Sequence, residues 1–298
     1  MNRAADTLPA PAVLARAPLR PPRSALARSR AAQARSSLAA CHLCAHHCGT
    51  DRLAGELGAC RAGPTARIFS AQTEVSDELE LIPVFAIALS GCDLRCDFCI
   101  TGAQSWNAAA GQNRCPDDVA RAAETALRAG AHSIMILGGE PTIHLPTALE
   151  IVAALPDHAV LVWKTNAHAS SQARALLSGL FDVWVADYKF GNDDCALRLA
   201  RTPDYTRIAR ENLCWASRET GTELIVRHLL MPGHLECCWV PAAGWLAAHL
   251  PQAKVNLRTG FWPAWAARRH PELRVPTRAA ECQEARKIAR DLGLNLIQ

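Results

Sequence analysis

The sequence predicts an α/β protein on an all-parallel sheet, either an open barrel of six βα units or a doubly wound sheet. Three observations predict it. Six short apolar runs lack the polar alternation of a half-solvated strand, as expected for strands covered on both faces. A helical pattern follows each run, and the connections between them are short.

The strand-like runs are residues 83–89, 133–137, 159–164, 183–187, 223–230 and 254–257. The helical patterns are 116–129, 146–154, 171–177, 204–219, 239–249 and 277–292. Pro116, Asp117 and Asp118 make a good helix start, because proline suits the first helical position and acids suit the positive end of the dipole. Gly130 closes that helix. In either architecture the chemistry gathers at the C-terminal ends of the strands.

Half of the 298 residues are hydrophobic and 20% are charged, ample for a buried core. A disordered or collagen-like chain is thereby excluded. The net charge of +4 is uneven: residues 1–38 hold seven arginines and one acid, which leaves about −2 for the rest. That is no electrostatic footprint for nucleic acid. No apolar run is long enough for a membrane helix. Residues 1–38, rich in Ala, Arg and Pro, read as a solvated, disordered tail, with an organelle transit peptide as the alternative. Residues 39–79 read as a Cys-rich leader and residues 80–298 as the barrel.

Thirteen cysteines, an odd number with no secretory signal peptide, point to reduced thiols and metal ligation in a cytoplasmic setting. Seven fall in two groups. Cys115, Cys195, Cys214, Cys237, Cys238 and Cys282 show no ligand spacing and read as small apolar residues. The second group, Cys92, Cys96 and Cys99, follows the first strand at C-x3-C-x2-C spacing. Roughly 0.02 such matches are expected by chance from this composition. Three thiolates can hold three irons of a 4Fe–4S cube and leave the fourth open. A structural zinc is the alternative reading, and it lacks a nearby fourth ligand.

This stretch, with Phe98 before the last cysteine, resembles the C-x3-C-x-aromatic-C signature of the radical S-adenosylmethionine (radical SAM) superfamily. The resemblance implies a partial (β/α)6 TIM-like barrel. It also implies S-adenosylmethionine on the open iron, and a reduced cluster that cleaves it to a 5′-deoxyadenosyl radical. Phe98 would lie against the adenine or pack beside the cluster. The second strand ends in Gly138, Gly139, Glu140 and Pro141, where the family binds the methionine amino group; glycines let backbone approach closely. Further along, the pattern is similar to glycyl-radical activating enzymes such as pyruvate formate-lyase activating enzyme. Thr165 and Asn166 end the third strand, Asp187 and Lys189 the fourth, and Arg227 lies on the fifth. Such groups can hold a ribose diol and a carboxylate, although Asp187 and Lys189 can also be a local ion pair. Lys164 stands where the activating enzyme has an acid that helps hold a monovalent cation, so that site does not carry over.

The first group, Cys41, Cys44, Cys48 and Cys60, is similar to the leader of pyruvate formate-lyase activating enzyme-like iron–sulfur proteins. Four soft ligands fit zinc or an auxiliary cluster, and His42, His46 and His47 read as exposed polar residues. Phe261, Trp262 and Trp265 follow the sixth strand and would line a substrate pocket or plug the barrel. His144 is a weak site candidate. The implied function is hydrogen abstraction from an unidentified substrate, with a glycine of a partner protein as the family analogy. A low-potential donor of flavodoxin or ferredoxin type would supply the electron. A non-catalytic iron–sulfur or zinc protein for electron transfer or scaffolding is the competing class. A metal-assisted hydrolase needs His, Asp and Glu at the strand ends, where this chain offers cysteines and basic residues.

Overall fold

Eight strands lie side by side in the order of the sequence, from β1 to β8. The computed structural model describes residues 22–74 and 78–297. The elements run α1 (Arg23–Ser36), β1 (Ile68–Glu74), β2 (Val84–Leu89), α2 (Ala103–Trp106), α3 (Pro116–Arg128), β3 (Ser133–Gly138), α4 (Leu145–Ala154), β4 (Leu161–Thr165) and α5 (Ser171–Leu177). Then come β5 (Val183–Asp187), α6 (Asp193–Ala200), α7 (Tyr205–Ala216), β6 (Glu223–Leu229), α8 (Val240–His249), β7 (Lys254–Arg258), α9 (Ala279–Asp291) and β8 (Asn295–Ile297). Strands β2 to β8 are parallel, and β1 joins β2 antiparallel. This is the mixed α/β architecture of a partial TIM-like barrel, with an open sheet.

The strand period of two sorts side chains onto two faces. Phe85, Ile87, Leu89, Ile134, Ile136, Trp163 and Trp184 pack on one face with the helices. The other face buries Val84, Met135, Val162, Val185 and Ile225, with Leu81 of the short 3-10 turn before β2 packed among them. Two residues further along three of these strands, on the same face, stand Lys164, Asp187 and Arg227, with Asp187 paired in register to Arg227. This face is therefore apolar in its lower layer and charged at the strand ends. Side-chain caps start two of the helices: Ser170 Oγ accepts from Ala173 N at 3.1 Å, and Asn192 Oδ1 accepts from Cys195 N at 2.8 Å.

The predicted division of the chain needs correction. Residues 1–21 lie outside the described residues, but 23–36, read from sequence as solvated tail, form α1 packed against α4. Ala27, Ala31 and Ala34 are buried at helical spacing, followed by Leu38. Their small side chains let the two helix axes come close. Arg23 Nη2 grips both carboxylate oxygens of Asp182 at 2.9 and 3.0 Å, and Asp157 accepts from Ser24 N at 2.7 Å. The leader boundary moves as well, because residues 68–74, placed before the barrel, are its antiparallel edge strand. That strand is half-exposed and so lacks a continuous apolar run.

Candidate functional site

The loop after β2 sets the site. Cys92 and Cys96 are buried, Cys99 is half-buried, and all three are free thiols. Burial pushes the Cys92 thiol well above its ordinary value and Cys96 up to about 12, with the nearby Lys189 ammonium opposing the rise at Cys96. Thiolates there need a cationic partner, and metal binding would release their protons. Asn166 Nδ2 donates to Cys92 Sγ at 3.6 Å, and Thr101 Oγ1 lies 3.2 Å from Cys99 Sγ.

Gly138 and Gly139 bring this loop and the end of β3 together. Gly139 N donates to Leu89 O and Glu140 N to Gly91 O, both at 2.9 Å. A Cβ on Gly138 would strike Leu89 backbone, and one on Gly139 would strike the Gly91 carbonyl. The close approach that these glycines permit is thus between the two loops themselves. Pro141 opens a 3-10 turn, and Glu140 is fully used inside the protein. Its Oε1 accepts from Thr142 N (3.0 Å), Thr142 Oγ1 (2.6 Å) and Thr165 Oγ1 (2.9 Å), and its Oε2 accepts from Asn166 N (2.7 Å). Burial first and Asp93 second push Glu140 up to about 7.

Asp93, beside Cys92, is a hub that sequence reading missed. Its Oδ1 accepts from Asn166 Nδ2 at 2.7 Å, and its Oδ2 lies 2.7 Å from His168 Nδ1. His46 Nε2 sits 3.0 Å from the Asp93 carbonyl oxygen, so a donated N–H joins the leader to the cysteine loop. Burial opposes the charge on Asp93, but His168 and His46 outweigh it and hold the carboxyl below its usual range. His46 is therefore a docking residue and not the freely exposed one expected.

The rest of residues 41–63 is wedged against the same loops. Ala45 N donates to His168 O (3.0 Å) and Ser170 N to Leu43 O (3.1 Å). Buried Arg52 donates to Ile143 O at 2.8 Å, and Arg95 of the cysteine loop donates to Ala59 O and Cys60 O at 3.2 and 3.1 Å. Cys41, Cys44 and Cys60 are buried and Cys48 is exposed. Burial raises the Cys44 and Cys60 thiols, with Asp93 and the neighbouring cysteines adding to it. Among the described residues, the trios whose ligand atoms lie within 4.8 Å are His46, Asp93, His168 and Cys195, His234, Cys237; neither predicted cysteine set is among them.

At the strand ends, Lys164 Nζ lies 3.1 Å from Glu78 Oε2 and Arg227 Nε lies 2.9 Å from Glu78 Oε1. Glu78, between β1 and β2, is buried and was not found from sequence. The Lys164 ammonium is thus paired with a buried carboxylate. Lys189 pairs with Asp187, and Arg227 stands 3.9 Å from the other oxygen. Burial disfavours the Asp187 charge, but Lys189 and then Arg227 hold its pKa below the ordinary value. Tyr205 fixes this corner: its hydroxyl donates to Asp187 O at 3.0 Å and accepts from Lys189 N at 2.9 Å.

Phe98 is buried edge-on to Phe190, with ring centroids 5.9 Å apart. Phe261 is buried, whereas Trp262 is 67% exposed and Trp265 packs beside Trp106. His144 is core: its ring lies 2.8 Å from Ser90 O, and burial, then Arg52, drive its pKa down to about 3. An unfolded histidine titrates near 6.5, so folding excludes a proton from His144 between those values. Stability attributable to it is full above about 6.5 and falls as pH drops toward 3. Replacing His144 by Gln is expected to flatten the acid limb of unfolding free energy against pH by about 1.4 kcal/mol per pH unit. An unchanged slope in urea titrations would show that His144 is protonated in the fold.

Comparisons with known proteins agree with this geometry. Residues 87–246 match the model of the radical SAM superfamily. The chain is 30% identical over 268 residues to the uncharacterized protein MJ0674 of Methanocaldococcus jannaschii, covering 86% of this chain and 76% of that one. Among solved structures it is similar to Streptococcus suis SuiB bound to the precursor peptide SuiA, with TM-score 0.52 and 17% identity over 69% of this chain and 46% of SuiB. SuiB bound to S-adenosylmethionine gives TM-score 0.50 and 16% identity, over 69% of this chain and 47% of SuiB. The chain spans about half the length of SuiB, and at these identities the likeness is one of fold. Among the described residues no helix is long and apolar enough to cross a membrane.

Proposed function

The chain belongs to the radical SAM superfamily, and from that premise we propose that Cys92, Cys96 and Cys99 hold a 4Fe–4S cluster whose open iron takes S-adenosylmethionine. The observation that carries this reading is the donor set itself. Three reduced thiols share one loop at the C-terminal end of the sheet, two of them buried, with an amide N–H on the first. Soft thiolates are the ligands such clusters use, and the residues fit. When bound, this group supplies one-electron reductive cleavage of S-adenosylmethionine to a 5′-deoxyadenosyl radical.

The chain's own residues orient and shield. Asn166 donates to Cys92 Sγ and stabilises the thiolate form. Glu140 clamps the ends of β3 and β4 through Thr165 and Asn166, so its role is to position the loop beside Cys92. Lys189 and Arg227 present cations for the carboxylate of the methionine moiety, and Asp187 an acceptor for the ribose hydroxyls. Gly138, Gly139 and Pro141 shape the floor, and Phe98 with Phe190 closes one side with apolar surface that excludes water. The substrate is a hydrogen donor, with a glycine of a partner polypeptide as its class. The precursor peptide bound to SuiB supports a polypeptide substrate. The electron comes from a flavodoxin- or ferredoxin-type donor. The four leader cysteines, Cys41, Cys44, Cys48 and Cys60, hold zinc or an auxiliary cluster.

The test is anaerobic reconstitution with iron and sulfide, reduction, and assay of 5′-deoxyadenosine after adding S-adenosylmethionine. The wild type is expected to form it, and its absence overturns the reading. Cys44→Ala is expected to lower bound metal while part of the cleavage persists. Loss of all iron in that variant would show that leader and loop form one inseparable site.

A further inference from the structure

The trio Cys195, His234 and Cys237 belongs to neither cysteine set read from sequence, and the fold assembles it from two loops of the active face. Cys195 stands in the first turn of α6, after β5, and His234 and Cys237 follow β6. Cys195 and His234 are buried and Cys237 is exposed. Their ligand atoms lie within 4.8 Å of one another, and the two sulfurs are 3.8 Å apart. Sulfurs on one tetrahedral zinc, at bonds of about 2.3 Å, stand about 3.8 Å apart, whereas a disulfide needs about 2.05 Å.

The imidazole is oriented for the same task. His234 Nδ1 lies 2.9 Å from the Pro232 carbonyl oxygen, which can only accept, so Nδ1 carries the proton. Nε2 then carries no proton, and Arg198 Nη2, a donor only, meets it at 3.2 Å. A backbone carbonyl on Nδ1 is the usual support of a metal-bound histidine. Arg198 has Glu272 as a second partner and can give up Nε2.

We propose that Cys195, His234 and Cys237 form a metal site for a zinc-class ion. The two thiols would release their protons to solvent on binding, so a divalent ion leaves the site neutral, as burial demands. A neutral water would complete the tetrahedron and keep the site neutral. The site adjoins the loop of the proposed cluster. Arg198 Nη1 is 3.4 Å from His270 Nδ1, and His270 Nε2 is 2.7 Å from Asp97, between Cys96 and Cys99.

The test uses iron-loaded, full-length protein under reducing anaerobic conditions, alkylated with iodoacetamide with and without one equivalent of Zn²⁺. Labelling is read at each cysteine by mass spectrometry. Zinc is expected to slow labelling of exposed Cys237 at least about tenfold in the wild type. That protection is expected to vanish in His234→Gln and Cys195→Ser, while exposed Cys115 labels at one rate throughout. Undiminished labelling of Cys237 with zinc, or protection that persists in both variants, overturns the proposal. Cys237→Ser, a change at an exposed position that spares the core, supplies the second readout. Zinc retained after dialysis should fall by one per chain, and an unchanged content would overturn the site. Neither readout depends on S-adenosylmethionine cleavage.

Discussion

Cys96→Ala, reconstituted and reduced beside the wild type, is expected to form 5′-deoxyadenosine at least about a thousandfold more slowly, a loss of about 4 kcal/mol in transition-state stabilisation. The reason is geometric. Cys96 is the middle ligand of a loop whose backbone is fixed on both sides: Arg95 N donates to Ala200 O at 3.0 Å and Asp97 N to Leu199 O at 2.9 Å. No other cysteine belongs to that loop apart from Cys92 and Cys99, so a two-thiol loop remains. The substitution removes a buried sulfur and adds no bulk, so the fold should survive, and thermal unfolding of the metal-free proteins should differ little. Comparable product from variant and wild type would refute the assignment of this loop.

Gly139→Ala is expected to destabilise the protein by about 3–5 kcal/mol, the sum of an overpacked contact and two strained hydrogen bonds. The added Cβ would lie closer than 3.0 Å to the Gly91 carbonyl oxygen, which is backbone and cannot rotate aside. Relief requires the Cys92 loop to part from β3, breaking the bonds from Gly139 N to Leu89 O and from Glu140 N to Gly91 O. Iron uptake at the loop should fall with stability. Gly244→Ala, in α8 with nothing within 4 Å of the new Cβ, is the control and should be neutral or stabilising. Urea unfolding and iron analysis measure both. A Gly139→Ala protein as stable as the wild type would show that the two loops separate at little cost.

Features carried by neighbours in sequence were legible. The spacing of Cys92, Cys96 and Cys99, the turn at Gly138–Pro141, and the apolar runs of β2 to β7 all lie within a few residues of one another. What escaped was built from distant partners. Asp93 meets His46 and His168, Glu78 meets Lys164 and Arg227, and Cys195 meets His234, and no local pattern joins such pairs. α1 escaped for another reason: its buried stripe is alanine, which carries little hydropathy signal, and the prolines before it suggested a broken chain. α6 is short and half-exposed, and β8 has only three residues. The glycines were found, but their need for space was assigned to a ligand when the neighbouring loop already claims it.

Electron paramagnetic resonance of the reduced, iron-loaded protein, recorded before and after S-adenosylmethionine, addresses the open iron most directly. A cluster on Cys92, Cys96 and Cys99 alone should change its spectrum when the compound binds, and Cys92→Ala should show no such change. Identical wild-type spectra with and without S-adenosylmethionine would mean that every iron is already capped, and the proposed chemistry would have no place to begin.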